Sequence, residues 1–164
     1  MLFRSRRVAI LVADGVDAKA LRQLAAKLTA SGAVPRVVGS TLGGVDARNG
    51  GGRVEVDAGI DASPSVLFDA VVIPDGSEAA GRMSEDGRML EFLKDQHRHC
   101  KPMLVLGSGA ELLDKAGIPH RLPTDEHDPG LLLGGDEEGT LADAFLSLLA
   151  LHRQFDRESD PPRV

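Results

Sequence analysis

Three groups of residues have the types and spacing that chemistry would need. The first is Gly107-Ser108-Gly109, which follows the apolar run Met103-Leu104-Val105-Leu106 and precedes the helical spacing of Glu111, Leu112 and Leu113. A serine between strand and helix is where an acyl-transfer nucleophile stands, but the strained turn that presents it needs glycine two positions to either side. Those positions are Leu106 and Ala110. A serine just ahead of a helix also serves as a cap for its backbone, and that reading is the better one here. A dinucleotide fingerprint fails as well, because its third glycine would fall at Leu112.

The second group is His97, His99 and Cys100. Imidazoles beside a thiol lower its pKa, and the cluster has the residue types of a metal site. On a helix, however, His97 and His99 point in different directions. Cys100 precedes a strand, at the end of the sheet opposite the edge where open α/β sheets bind ligands. A solvated face and a structural thiol are the readings favoured.

The third group is Asp14, Asp17 and Asp75, which the strand pattern brings to one carboxyl edge. Paired acids and ordinary turn or cap residues explain them equally well. His120 and His127 stand in a loop whose distance from Ser108 the spacing does not fix. The glycine-rich run from Gly43 to Gly52 has the composition of a phosphate cradle. It lacks the G-x-x-x-x-G-K-[ST] pattern and no helix start follows it, so a surface turn is preferred.

These groups need elements to position them. Val8 to Ala13 is a continuous apolar run, as expected of a strand buried on both faces. Asp17 is placed to cap a helix carrying Leu21, Leu24, Ala25 and Leu28, and Val34 to Gly39 forms a second strand. Gly43 to Gly52 is too polar and flexible for a regular element, while Val54-Glu55-Val56 suits a short edge strand or hairpin arm. Ala70 to Ile73 predicts a buried strand ending at Pro74-Asp75-Gly76, and Asp86 to His99 a helix with Met89, Phe92, Leu93 and Gln96 on one face. Pro102 to Leu106 is the strand before Ser108, followed by a helix that Gly117-Ile118-Pro119 stops.

Residues 119–130 predict an exposed loop, and Leu131 to Leu133 a last strand. The final helix has the stripe Leu141, Ala144, Phe145, Leu148, Leu149, His152 and Phe155, and the tail from Asp156 to Val164 reads as loose. The alternation of strands and helices specifies an α/β fold of three layers, flavodoxin-like, with a mostly parallel sheet of five or six strands and helices on both faces.

Composition narrows the function. The chain is 164 residues long, long enough for one domain with a proper core, and 42% hydrophobic. Five Phe, no Trp and no Tyr leave that core to aliphatic side chains. A net charge of -6 argues against a nucleic-acid partner. A single cysteine suits a reducing cytoplasmic compartment, and no apolar run approaches the length of a membrane span.

The order of elements resembles the class I glutamine amidotransferase-like superfamily in its PfpI-like branch of peptidases, deglycases and chaperones. That resemblance places the superfamily's cysteine nucleophile at Gly107 and its acid near Ala20, with Asp17 close by. Both positions lack the functional residue. Gly107, Ser108 and Gly109 then read as a vestigial elbow, with Asp14, Asp17 and Asp75 at the pocket edge and no catalytic set.

A narrower resemblance covers nearly the whole chain. Val8-Ala9-Ile10-Leu11, Ala62-Ser63-Pro64-Ser65, Asp69 to Gly76, Lys101-Pro102 and Leu148 to Arg153 follow the order and spacing of the carboxyl-terminal domain of large-subunit haem catalases. The resemblance implies one domain over residues 1–164, without catalytic residues, that acts in stability or assembly of an enzyme dismutating hydrogen peroxide. It implies the catalase core and neighbouring subunits as partners, or a homo-oligomer, and neither nucleic acid nor membrane. Haem would belong to the parent core alone, since its axial ligand is a tyrosine and this chain has none; no cofactor or metal is expected in the chain itself. A freestanding chaperone-like member of the PfpI-like group, and a hydrolase using Ser108 with His120 or His127, are the alternatives.

Overall fold

The computed structural model describes residues 5–135, 139–151 and 155–157, the last group's Phe155 in its backbone only. Strand β1 (Arg7–Leu11) lies inside the sheet, and Val8 to Leu11 are fully buried. The expected strand end at Ala13 comes two residues too late, although Val12 and Ala13 stay buried. Helix α1 (Ala18–Ala30) begins at Asp17, whose carboxylate accepts from the Ala20 N–H at 3.1 Å. It buries Ala18, Leu21, Leu24 and Leu28. Strand β2 (Val34–Gly39) then pairs parallel with β1 in the register Arg7 to Val34 and Leu11 to Val38.

Strand β3 (Gly43–Asp46) pairs antiparallel with β4 (Arg53–Val56). This corrects the expectation that the glycine-rich run has no regular structure. Few side chains hold the hairpin: β3 buries none, while Val54 and Val56 anchor the β4 arm. Its turn uses the left-handed region at Asn49 and Gly50, which small polar residues and glycine tolerate. Strand β5 (Ala58–Gly59) adds a two-residue edge beside β2.

Strand β6 (Ala70–Ile73) and strand β7 (Met103–Leu106) are buried along their whole length, as central parallel strands are. Between them lie α2 (Ser77–Ser84) and α3 (Gly87–Arg98). Helix α2 escapes the sequence pattern because its core face is Ala79, Ala80 and Met83, mostly small residues. Helix α3 buries Met89, Phe92, Leu93 and Gln96 as expected. Helix α4 (Ala110–Ala116) ends on Gly117 in the left-handed conformation. Strand β8 (Leu131–Gly134) pairs with β7, and α5 (Thr140–Leu151) buries Ala142, Phe145 and Leu149. Of the expected α5 stripe, His152 and the Phe155 side chain lie outside the described residues.

The sheet order is β5-β2-β1-β6-β7-β8, and every pairing in it is parallel. The chain moves one way from β1 to β2 and the other way from β6 through β8. Right-handed crossovers therefore place α1 on one face and α2, α3 and α4 on the other. The contacts agree: α2, α3 and α4 pack on one another, and α5 joins α1 through Lys27 and Asp143 at 2.7 Å. The direction reverses between β1 and β6, which makes their carboxyl ends the switch-point crevice where such sheets bind ligands.

Two further expectations need correction. The 119–130 loop is not exposed throughout, since Asp128 is fully buried and Leu122 nearly so. Nor does the chain come loose at Asp156. Phe155–Arg157 forms a short 3-10 turn, and Arg157 is buried. Both departures have one cause, an ion pair between Arg157 and Asp128 that no local pattern encodes.

Candidate functional site

The switch point gathers the turns after β1, β6 and β7. Gly76, at φ +140°, lies against the Gly15 carbonyl so closely that a Cβ there would collide with it. The Asp17 N–H donates to the Asp75 carbonyl at 2.9 Å, tying the two turns together. Glycine is required at position 76 for this contact.

Asp75 is the hub. Its Oδ1 accepts from the Gly76 N–H at 2.7 Å, the Ser108 N–H at 3.0 Å and the Ser108 hydroxyl at 2.9 Å. Its Oδ2 accepts from Arg48 Nη1 at 3.2 Å, while Arg48 Nη2 donates to Asp17 Oδ2 at 2.8 Å. Burial pushes the Asp75 carboxyl up, but the hydrogen bonds from Ser108 and Gly76 and the Arg48 charge outweigh it, holding the group below the usual carboxylate range.

Gly107 sits at φ +55°, and a Cβ there would run into the Asp75 carboxylate. The space a nucleophile's side chain would need is filled by an acid. Ser108 fares no better, because its hydroxyl donates to a carboxylate that is a weak base. The Ser108 hydroxyl bonds Asp75 and neither histidine: His120 Nε2 lies 3.0 Å from Asp114, and the His127 backbone pairs with that of Arg121. The arrangement orders three turns and pairs two acids with one guanidinium.

Of the three acids, Asp17 and Asp75 meet through Arg48, whereas Asp14 uses its Oδ1 to accept from the Asp46 N–H at 2.8 Å. Asp14 is thus an anchor for the hairpin, and Asp17 serves also as the α1 cap. Arg48 is the residue that sequence reasoning missed. A single cation in a polar, glycine-rich run carries no mark of its register, and only pairing of β3 with β4 aims it at the crevice.

A second polar cluster lies at the opposite, amino-terminal edge of the sheet. Arg157 Nε donates to Asp128 Oδ2 at 2.6 Å and Nη1 donates to the Lys101 carbonyl at 2.6 Å, all buried. Lys101 Nζ and Gln96 Nε2 both donate to the Ser65 carbonyl, at 3.1 and 3.0 Å. His97 borders this cluster. Burial pulls its pKa down to about 4, helped by the Arg157 charge and opposed by Asp128. His97 is therefore half-buried and not part of a wholly solvated face, while His99 is exposed. Cys100 is buried at this same edge.

Fold and crevice together define the class of an open, parallel, doubly wound α/β domain. A solved two-domain protein of Anabaena variabilis, containing DJ-1/ThiJ/PfpI-like and ferritin-like domains, superposes with a TM-score of 0.75. The match covers 90% of this chain and 48% of that one at 20% identity, so it speaks for the fold alone.

A profile of the C-terminal domain found in long catalases matches residues 4–159, and the chain belongs to that family. Catalase HPII of Mycobacterium avium is 36% identical over 163 residues, covering 95% of this chain and 23% of the relative. Catalase HPII of Pseudomonas putida is 32% identical, covering 95% and 20%. Catalase-B of Dictyostelium discoideum is 30% identical, covering 98% and 22%. The chain thus spans about a fifth to a quarter of the length of these relatives. Among the described residues no helix is long and apolar enough to cross a membrane.

Proposed function

We propose that this chain is a non-catalytic accessory domain of a large-subunit catalase, acting in the stability or assembly of a cytoplasmic enzyme that dismutates hydrogen peroxide. The observation that carries the reading is the Asp75 carboxylate in the space that a side chain at position 107 would need. Ser108 donates to that same acid, which supports a crevice without a nucleophile. Haem and the peroxide chemistry then reside in the parent core, and the partners of this chain are that core and neighbouring subunits. The family match supports the link to long catalases.

The test begins with an antibody blot of source-cell extract. A band several times heavier than 17.3 kDa is expected, and a band at that mass would end the reading. In the long polypeptide, deletion of residues 4–159 is expected to leave initial peroxide turnover per haem intact while speeding thermal inactivation and subunit dissociation. Unchanged inactivation and dissociation would sink the accessory role.

A further inference from the structure

We propose that the β3–β4 hairpin is a built-in plug of the switch-point crevice, seated there by the Arg48 guanidinium between Asp17 and Asp75. Both acids are held in place without help from Arg48. Asp17 Oδ1 accepts from the Ala20 N–H, and Asp75 Oδ1 accepts from Gly76 and from Ser108 twice. This leaves Oδ2 of each carboxylate for one cation. Arg48 fills both with its two terminal nitrogens, at 2.8 and 3.2 Å, as a planar fork can and a single ammonium does less well.

The hairpin is constructed as a separate piece. Its strands bond to each other and not to the six-stranded sheet. The β4 arm is fixed by the buried Val54 and Val56. The β3 arm and the turn Arg48–Gly50 fully bury no side chain, and only Val45 and Ala47 of this stretch pack, partly buried, against the core. They are moored by polar ties: Gly15 N–H to the Asp46 carbonyl at 2.8 Å, Asp46 N–H to Asp14 at 2.8 Å, and Arg48 N–H to the Val16 carbonyl at 2.9 Å. Opening this arm exposes little core, the contacts of Val45 and Ala47, so it belongs to the low-stability end of local unfolding. Among the described residues of the turn, Arg48 reaches into the crevice and bonds both acids at once. While it is seated, Arg48 occupies the Oδ2 atoms of both acids and closes the crevice to other cations.

The test uses amide hydrogen exchange of the whole chain, wild type against Arg48→Ala, with methylguanidinium as the probe. In the variant, the amides of Asp46, Ala47 and position 48 are expected to exchange about tenfold faster, the effect of losing hydrogen bonds to charged groups. Amides of β1, β6 and β7 keep their wild-type rates. Millimolar methylguanidinium is expected to shift the Gly76 and Ser108 amide resonances in the variant and not in the wild type, and sodium chloride at matched ionic strength to shift neither. Turn amides that exchange at the wild-type rate would overturn the plug, as would methylguanidinium shifting both proteins alike. Should Arg48→Ala fail to fold, Arg48→Gln keeps most of the stem without the charge and carries the same two readings.

Discussion

A side chain at position 107 would have to share its space with the Asp75 carboxylate, on a backbone already at φ +55°. Left-handed strain and overpacking add, so Gly107→Ala is expected to lower stability by about 2–4 kcal/mol in urea unfolding. Adding Asp75→Ala should return part of that loss, and strict additivity in the double-mutant cycle would argue against the collision. Ser108→Ala removes one hydrogen bond to Asp75 and is expected to cost about 1 kcal/mol. At the other edge, Arg157→Ala leaves Asp128 charged, buried and without its partner. A loss of about 3–5 kcal/mol by the same measurement is expected, and a loss no larger than that of an exposed ion pair would contradict the burial seen for both groups.

Helix α3 carries the pH response. In the unfolded chain His97 takes up a proton near pH 6.5, whereas in the folded chain it resists until about 4. The unfolded state therefore binds more protons in that window. The His97 contribution is complete above pH 6.5 and is lost as pH falls from 6.5 to about 4. Urea midpoints measured across this range should fall with acid, and His97→Gln should flatten the slope. Asp75 acts in a lower window. Its depressed pKa gives stability that is present above the ordinary carboxylate value and lost only as pH falls below it. The same elements show where local pattern suffices. Helix α1 was legible from Leu21, Leu24 and Leu28 and its Asp17 cap, while α2, with a face of Ala79, Ala80 and Met83, had too little contrast to register.

For the molecule as a whole, the sheet orders the stabilities. Strands β1, β6 and β7 have parallel neighbours on both sides and are buried almost throughout, whereas β5 is a two-residue edge. Native-state exchange should be slowest in the first three and fastest among strand amides in β5. Equal protection of β5 and β6 would mean that the edge is covered in solution.

Apolar runs and their spacing determined the parallel α/β fold, because strands buried on both faces cannot hide in a sequence. The residue types at Gly107 and Ala20, set against the superfamily resemblance, likewise raised the expectation of an elbow without a nucleophile and its acid. Only the tertiary structure decided what fills the vacancy. Asp75 reaches position 107 from another strand, Arg48 reaches Asp75 and Asp17 from a hairpin outside the sheet, and Arg157 reaches Asp128 across 29 positions. Such pairs arise where separate chain segments meet, and charge partners chosen by long-range packing leave no periodic trace in the sequence.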